Sequence, residues 1–183
     1  MATETTLVTY DDYRNLPDDG KRYEIIEGRL LMTPAPHTIH QRILGKLYKS
    51  ISNYTEEQNI GEVFIAPVDV ILSMTNVVQP DLMFIAKERS HIITEKNIVE
   101  APDLVAEIIS ESTKVRDQTT KKALYEKYGV KEYWIIYPGD EKVEQFILQD
   151  EKLVLQKTVG KSDLLKPKVI SGLSFALKEV FTR

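Results

Sequence analysis

Residues 77–86 read VVQPDLMFIA and residues 102–110 read PDLVAEIIS. Both are short runs of Val, Ile, Leu, Phe and Met bounded by proline or turn residues, the pattern of strands buried on both faces. Side chains alternate along a strand, so Leu104, Ala106 and Ile108 share one face while Val105, Glu107 and Ile109 share the other. The same alternation sets Asp81 in line with Met83 and Ile85. Two carboxylates therefore sit where the pattern asks for apolar side chains.

Upstream, GEVFIAPVDVILS (61–73) is a third run of this kind. Before it, Thr38-Ile39-His40-Gln41 has the T-x-x-Q form of a capping box, which predicts a helix start. Ile39, Ile43, Leu44, Leu47, Tyr48, Ile51 and Tyr54 then recur at three- and four-residue steps as one buried stripe, with His40 near its middle. Asn59 to Gly61 stop that helix. Downstream, a second helix is predicted from about Thr113 to Tyr128, with Gly129 as its stop, and KEYWIIYP (131–138) follows as another buried strand. Helix, three strands, helix, strand is an α/β order that implies a mixed central sheet with a helix on each side. YEIIEGRLLM (23–32) reads as a hairpin turning at Glu27-Gly28, and KVEQFIL with KLVLQKTV reads as a peripheral hairpin around Gln149 to Glu151. Tyr10 to Tyr13 suit a short helix leading into a turn at Asp18 to Gly20, and SGLSFALKEVFTR suits a short closing helix.

The second helix repeats the anomaly with the opposite sign. At about 100° per residue, Leu124, Tyr125 and Tyr128 define an arc, and Lys121 and Asp117 fall within it or at its edge. Lys121 thus projects toward the sheet, whereas Lys122 lies farther round and snorkels outward. A buried ionised carboxylate is costly unless something pairs with it. One lysine relieves two acids only in part, and a hard divalent cation would balance the second. Taken singly, each residue also has a structural account: Glu107 as half of a core ion pair, Asp81 as a turn cap after Pro80. The convergence of all three is what points to a site.

Pro80-Asp81 followed by Glu107-Ile108-Ile109 resembles the PD…(D/E)XK pattern of the restriction-endonuclease-like superfamily. RYEIIEGRL, VVQPDLMF, APDLVAEIISEST, RDQTTKKALYEKYGVKEYWIIYP and the final SGL resemble one branch of it, the Uma-two family, from about Leu7 to Leu173. The resemblance implies a restriction-endonuclease-like core at about 38–138, with extra N- and C-terminal hairpins. It also implies a Mg²⁺-dependent endonuclease acting on DNA, with Mn²⁺ able to substitute. Asp81 and Glu107 would hold the metal, with the main-chain carbonyl of Ile108 as third ligand. The lysine expected two residues after the glutamate is Ile109 here, and the branch places its lysine on the following helix, where Lys121 lies four residues after Asp117. Asp81, Glu107 and Lys121 would then be the catalytic residues. Glu24 and His40 would line the cleft, although a hairpin Glu and a lone His in an apolar stripe also read as structural residues. The residue types suit phosphodiester hydrolysis: a metal activates water and clamps a phosphoryl oxygen, and lysine supplies a cation where charge develops.

At 183 residues, with 42% hydrophobic and 28% charged residues, the chain fits one globular domain over 1–183. It contains no cysteine, which excludes a disulfide framework, a thiolate zinc site and a cysteine nucleophile, and fits a cytoplasmic setting. No apolar run approaches the roughly 18 residues of a membrane span, and the start MATETTLVTYDDYRNL has neither a basic n-region nor an apolar h-region, so no membrane partner is expected. Lys+Arg 24 against Asp+Glu 28 gives a net charge of −4, so DNA would be held by a local patch or a metal. No Gly-rich phosphate loop, G-x-S-x-G elbow or H-E-x-x-H helix occurs, which argues against an ATPase, a serine hydrolase or a zinc protease. A homodimer is expected, because cutting both strands of a duplex suits two-fold symmetry. The alternative is a catalytically silent nucleic-acid-binding or regulatory module on a nuclease-like scaffold. Net negative charge favours that alternative, and three charged residues kept at core positions oppose it.

Overall fold

The computed structural model describes residues 7–17, 19–111 and 113–182. A short helix, α1 (Tyr10–Arg14), precedes the hairpin β1 (Arg22–Ile26) and β2 (Arg29–Thr33), the long helix α2 (Thr38–Gln58), and strands β3 (Gly61–Ile65), β4 (Val70–Ser73), β5 (Asn76–Val78) and β6 (Leu82–Ala86). A 3-10 turn (Lys87–Ile92) leads through β7 (Ile98–Val99) to β8 (Leu104–Ile108). The second helical stretch follows as α3 (Lys114–Arg116), a π turn (Asp117–Lys121) and α4 (Lys122–Lys127). Next come β9 (Glu132–Tyr137) and the hairpin β10 (Lys142–Gln149) and β11 (Lys152–Gly160). The chain ends with a small ladder of β12 (Leu164–Leu165) on β13 (Phe175–Ala176), then α5 (Leu177–Phe181).

The strands form a six-stranded sheet, β11-β10-β9-β8-β6-β3, and a five-stranded one, β2-β1-β5-β4-β7. In the larger sheet β8 and β9 are parallel and the other neighbours antiparallel. A parallel pair needs a crossover, which the stretch from α3 to α4 supplies. That stretch ends in a Schellman motif: Val130 N–H donates to the Tyr125 carbonyl at 2.9 Å, Gly129 N–H donates to Glu126 at 3.2 Å, and Gly129 takes φ 80°. The predicted mixed sheet with a helix on each side is therefore present.

Two cores lie on opposite faces of the six-stranded sheet, as the alternation requires. Met83, Ile85, Val105, Ile109, Tyr133 and Ile135 pack against Ile26, Val70, Leu72 and Val78 of the smaller sheet and against Leu124 and Tyr125 of α4. Leu82, Phe84, Leu104, Ala106, Ile108, Trp134 and Ile136 pack against Ile43, Leu44, Leu47 and Ile51 of α2 and against Leu177, Val180 and Phe181 of α5.

Several expectations change. GEVFIAPVDVILS is two strands, β3 and β4, and VVQPDLMFIA is also two, β5 and β6, with each pair divided between the sheets. The breaks fall at Pro67 and Pro80, since proline has no amide hydrogen to continue a ladder. β3 is an edge strand with Glu62 and Ile65 exposed, so it is not buried on both faces. The capping box at Thr38 does not form. His37 is the N-cap, at φ −72° and ψ 159°, with no side-chain cap bond, because Thr38 already lies inside the helix. Both expected hairpins form: β1 joins β5 through Ile25 opposite Val77, and β10–β11 extends one edge of the larger sheet. The first hairpin does turn at Glu27-Gly28, both at positive φ (51° and 71°), as a tight two-residue turn demands. The short helix at Tyr10 forms, capped by Thr9, while Asp18 of the expected turn lies outside the described residues. The closing helix is shorter than expected because Phe175 and Ala176 pair in β13. Among the described residues no helix is long and apolar enough to cross a membrane.

Candidate active site

Pro80 carries the chain from the smaller sheet to the larger, and Asp81 stands at that seam, immediately before β6. In the β6–β8 ladder Leu82 lies opposite Ala106, so continuing the register sets Asp81 opposite Glu107 near the C-terminal end of β8. Ile108 N–H donates to Asp81 Oδ2 at 2.8 Å, which lets the backbone of β8 orient that carboxylate. Glu24 reaches the same seam from β1, where Gln79 N–H donates to its Oε1 at 2.9 Å. Lys121 enters from the crossover helix, donates to Glu107 Oε1 at 2.9 Å and pairs with Glu24 Oε1 at 2.8 Å. From α2, His40 Nε2 lies 2.9 Å from Asp81 Oδ2. The structure thus brings Asp81, Glu107, Lys121, Glu24 and His40 together. An 840 Å³ cleft opens onto Asp81, Glu107, Ile108, Lys121 and His40, with Glu24 behind Lys121 and outside the lining.

The geometry depends on the π turn. Asp117 and Lys121 bound that widened turn, and both are 3% exposed. Tyr133 O–H donates to the main-chain carbonyl of Asp117 at 3.0 Å, which satisfies an acceptor within the altered ladder. Single π turns within α-helices recur at functional sites. Lys122, one residue on, points outward over the ring of Phe146.

Four buried carboxylates, Glu24, Asp81, Glu107 and Asp117, share this region with Lys121. Burial pushes Glu107 up to about 8; Lys121 opposes the shift, and Asp81, Asp117 and Glu24 add to it. Burial likewise raises Asp117, against Lys121, Thr113 and Arg116. For Glu24 burial is outweighed by Lys121, the Gln79 N–H and Arg116, which together hold it below its ordinary value. For Lys121 burial is outweighed by Glu107, Glu24 and Asp117, so the amine is held above the usual lysine range and stays an ammonium. Tyr125 O–H donates to Glu107 Oε1 at 2.6 Å.

Two raised carboxylates mean that the group is short of positive charge, the condition a divalent cation relieves. Among the described residues no three His, Cys, Asp or Glu side chains form a ready-made metal cluster. Mg²⁺ does not need one, since one or two carboxylates with water and phosphate form its usual shell. Asp81 and Glu107 flanking the Ile108 main chain fit that habit.

Arg116 and Asp117 of the helical stretch also stand at the site, together with Arg22, Gln79 and Tyr125, which the sequence reading does not single out for it. Helical periodicity sets Asp117 within the inward arc or at its edge and makes Tyr125 one of the residues that define it. Two signals were available: Arg22 and Glu24 alternate on one face of β1, and Tyr125 follows Lys121 by four residues on the helix.

Among solved structures the chain is similar to "a putative nuclease belonging to DUF820" from Anabaena variabilis, at 22% sequence identity over 96% of this chain and 98% of that one, with a TM-score of 0.79. That likeness shows the fold, which is restriction-endonuclease-like. Among curated proteins nothing matches. A family model, Uma2, described as "Putative restriction endonuclease", matches residues 10–178. The match runs from α1 into α5 and takes in both sheets and the whole seam between them, so the chain belongs to the Uma2 family.

Proposed function

We propose that this chain is a metal-dependent endonuclease that hydrolyses phosphodiester bonds of DNA. One observation carries the reading: Lys121, 3% exposed, is held between Glu107 and Glu24 at the floor of a cleft that Asp81 also lines. A buried lysine paired to two acids is costly to keep and serves poorly as a mere stabiliser, since apolar replacements often do as well.

Asp81, Glu107 and the main-chain carbonyl of Ile108 would hold Mg²⁺ or Mn²⁺. When bound, the ion supplies an activated water and neutralises charge on the phosphoryl oxygens. The chain's own residues set the stage. Lys121 Nζ remains protonated, so it donates a hydrogen bond and a fixed charge where negative charge builds, and accepts no proton. Glu24 holds the ammonium beside Glu107. Tyr125 restrains Glu107, while Ile108 N–H and His40 restrain Asp81. The protein works as a single domain in the cytoplasm and as a homodimer, whose two clefts address the two strands of a duplex.

The test is incubation of purified protein with supercoiled plasmid and Mg²⁺ or Mn²⁺, with and without chelator. Nicking and linearisation that require the ion are expected, with a loss of about 100-fold or more in Asp81→Asn, Glu107→Gln and Lys121→Met. Cleavage that persists in Asp81→Asn or Glu107→Gln overturns the assigned roles. DNA binding without cleavage under any ion favours a silent scaffold instead.

A further inference from the structure

The floor of the cleft is anionic, but one wall carries cations, and among the described residues no acid engages Arg22 there. Arg22 alternates with Glu24 on β1, so it faces the same side two residues farther along the strand. It lines the cleft together with Arg116 and Lys114. The Nε atoms of Arg22 and Arg116 are both buried and lack a hydrogen-bond partner among the described residues. Arg116 approaches Glu24 only at 3.7 Å and Asp117 at 4.0 Å. Glu111 and Asp140 also line the cleft, yet neither pairs with Arg22.

A buried donor left without a partner is expensive, and an arginine beside so many carboxylates would ordinarily fold onto one of them. A guanidinium held away from those acids presents a planar fork of donors that matches phosphate oxygens. We infer that Arg22, with Arg116 beside it, is a phosphate-binding residue that grips the DNA backbone next to the phosphodiester lying over Asp81 and Glu107. The inference rests on the nuclease reading of this cleft. It also answers a need of the whole chain, because a net charge of −4 provides no general attraction to DNA and the grip must be local.

Binding can be read apart from cutting. Fluorescence anisotropy with a labelled duplex and a labelled single strand, in chelator and across a NaCl series, measures affinity and its salt dependence. In Arg22→Gln the affinity at low salt is expected to fall about tenfold, with the slope of log K against log salt reduced by about 0.9 for duplex or 0.7 for single strand. Arg22→Lys keeps a charge without the fork, so it restores the slope and only part of the affinity. Arg29→Ala, on the exposed end of the same hairpin and outside the cleft, binds as the parent does. Arg116→Gln weakens binding in the same direction. Thermal melting of each variant establishes that it is folded, and Arg22→Lys keeps the comparison open if Arg22→Gln is not. Parental affinity and slope in Arg22→Gln, or equal behaviour of Arg22→Gln and Arg22→Lys, overturns the inference. So does a parent that binds neither strand form. In each of those cases plasmid cleavage by the parent in Mg²⁺ decides the nuclease reading separately.

Discussion

Glu107 is the residue on which charge, protonation and the proposed metal meet. Its folded pKa is about 8, raised chiefly by burial, against an ordinary value of 4.5. Between those values the folded chain binds more protons at this position than the unfolded chain does. The contribution of Glu107 to stability is therefore whole at low pH and is lost as pH rises through the folded pKa. In chelator, the parent is expected to melt lower at about pH 8 than at about pH 5, and Glu107→Gln to show a flatter profile and melt above the parent at the higher pH. Calorimetry at both pH values checks this, and a parent profile no steeper than that of Glu107→Gln refutes it. Mn²⁺ added at about pH 8 displaces the proton and raises the melting temperature of the parent but not of Glu107→Gln. Lys121 behaves oppositely: Lys121→Met leaves Glu24 and Glu107 as facing buried acids. Urea denaturation is expected to show a loss of about 3–5 kcal/mol at high pH. The loss shrinks as pH falls and the acids take up protons. At this scale Asp81, Glu107 and Lys121 were legible because a charge at a buried register position is costly and therefore conspicuous. Arg22 and Tyr125 were not, since an arginine near the start of a strand and a tyrosine on an apolar helix face are ordinary.

The helical stretch 114–127 carries the least legible feature of the site. Periodicity at about 100° per residue found Lys121 inside the arc but cannot register a turn widened by an extra residue, which leaves no mark in composition. The π turn gathers Asp117 and Lys121 on one buried side, and Tyr133 holds its first carbonyl. Thr119 and Thr120 within it are exposed, so they contribute length rather than packing. Deleting Thr120 is expected to restore α-helical spacing and rotate Asp117 or Lys121 off the cleft, lowering cleavage by about 100-fold while the protein still melts cooperatively. Cleavage kinetics and a thermal melt on the same sample check this, and parental cleavage would remove the π turn from the account. Tyr133→Phe, which deletes one buried hydrogen bond, is expected to cost about 1–3 kcal/mol by urea denaturation. Strand divisions were hidden for a different reason. A run such as VVQPDLMFIA is equally apolar on either side of Pro80, so composition does not say that its halves serve different sheets. Proline inside the run was the signal, and it also explains why Asp81 stands at a seam, free to face a cleft.

Across the whole molecule, the cleft depends on the opposite face of the larger sheet. Glu132 is fully buried on β9, on the Trp134 side, and is answered by neutral donors. Its Oε1 accepts from Trp134 Nε1 at 2.7 Å and Gln145 Nε2 at 2.6 Å, and its Oε2 accepts from the N–H groups of Lys168 at 2.7 Å and Val169 at 3.0 Å. Gln145 also donates to the Lys166 carbonyl at 2.9 Å. Segment 166–169 is thereby fastened to the sheet, and beyond it Ile170, Leu173, Leu177, Val180 and Phe181 close the second core over α2. α2 in turn carries His40 to Asp81. Strand alternation puts Glu132 on the face of Trp134, but its other donors lie some distance along the chain, so the sequence alone does not show them. Glu132→Ala strands several buried donors at once and is expected to cost about 3 kcal/mol or more in urea, with a lower midpoint and an unchanged slope. The melting response of the folded fraction to Mn²⁺ should persist, because no ligand of the proposed site is touched. A midpoint equal to the parent's would show that the C-terminal segment is held by its apolar contacts alone.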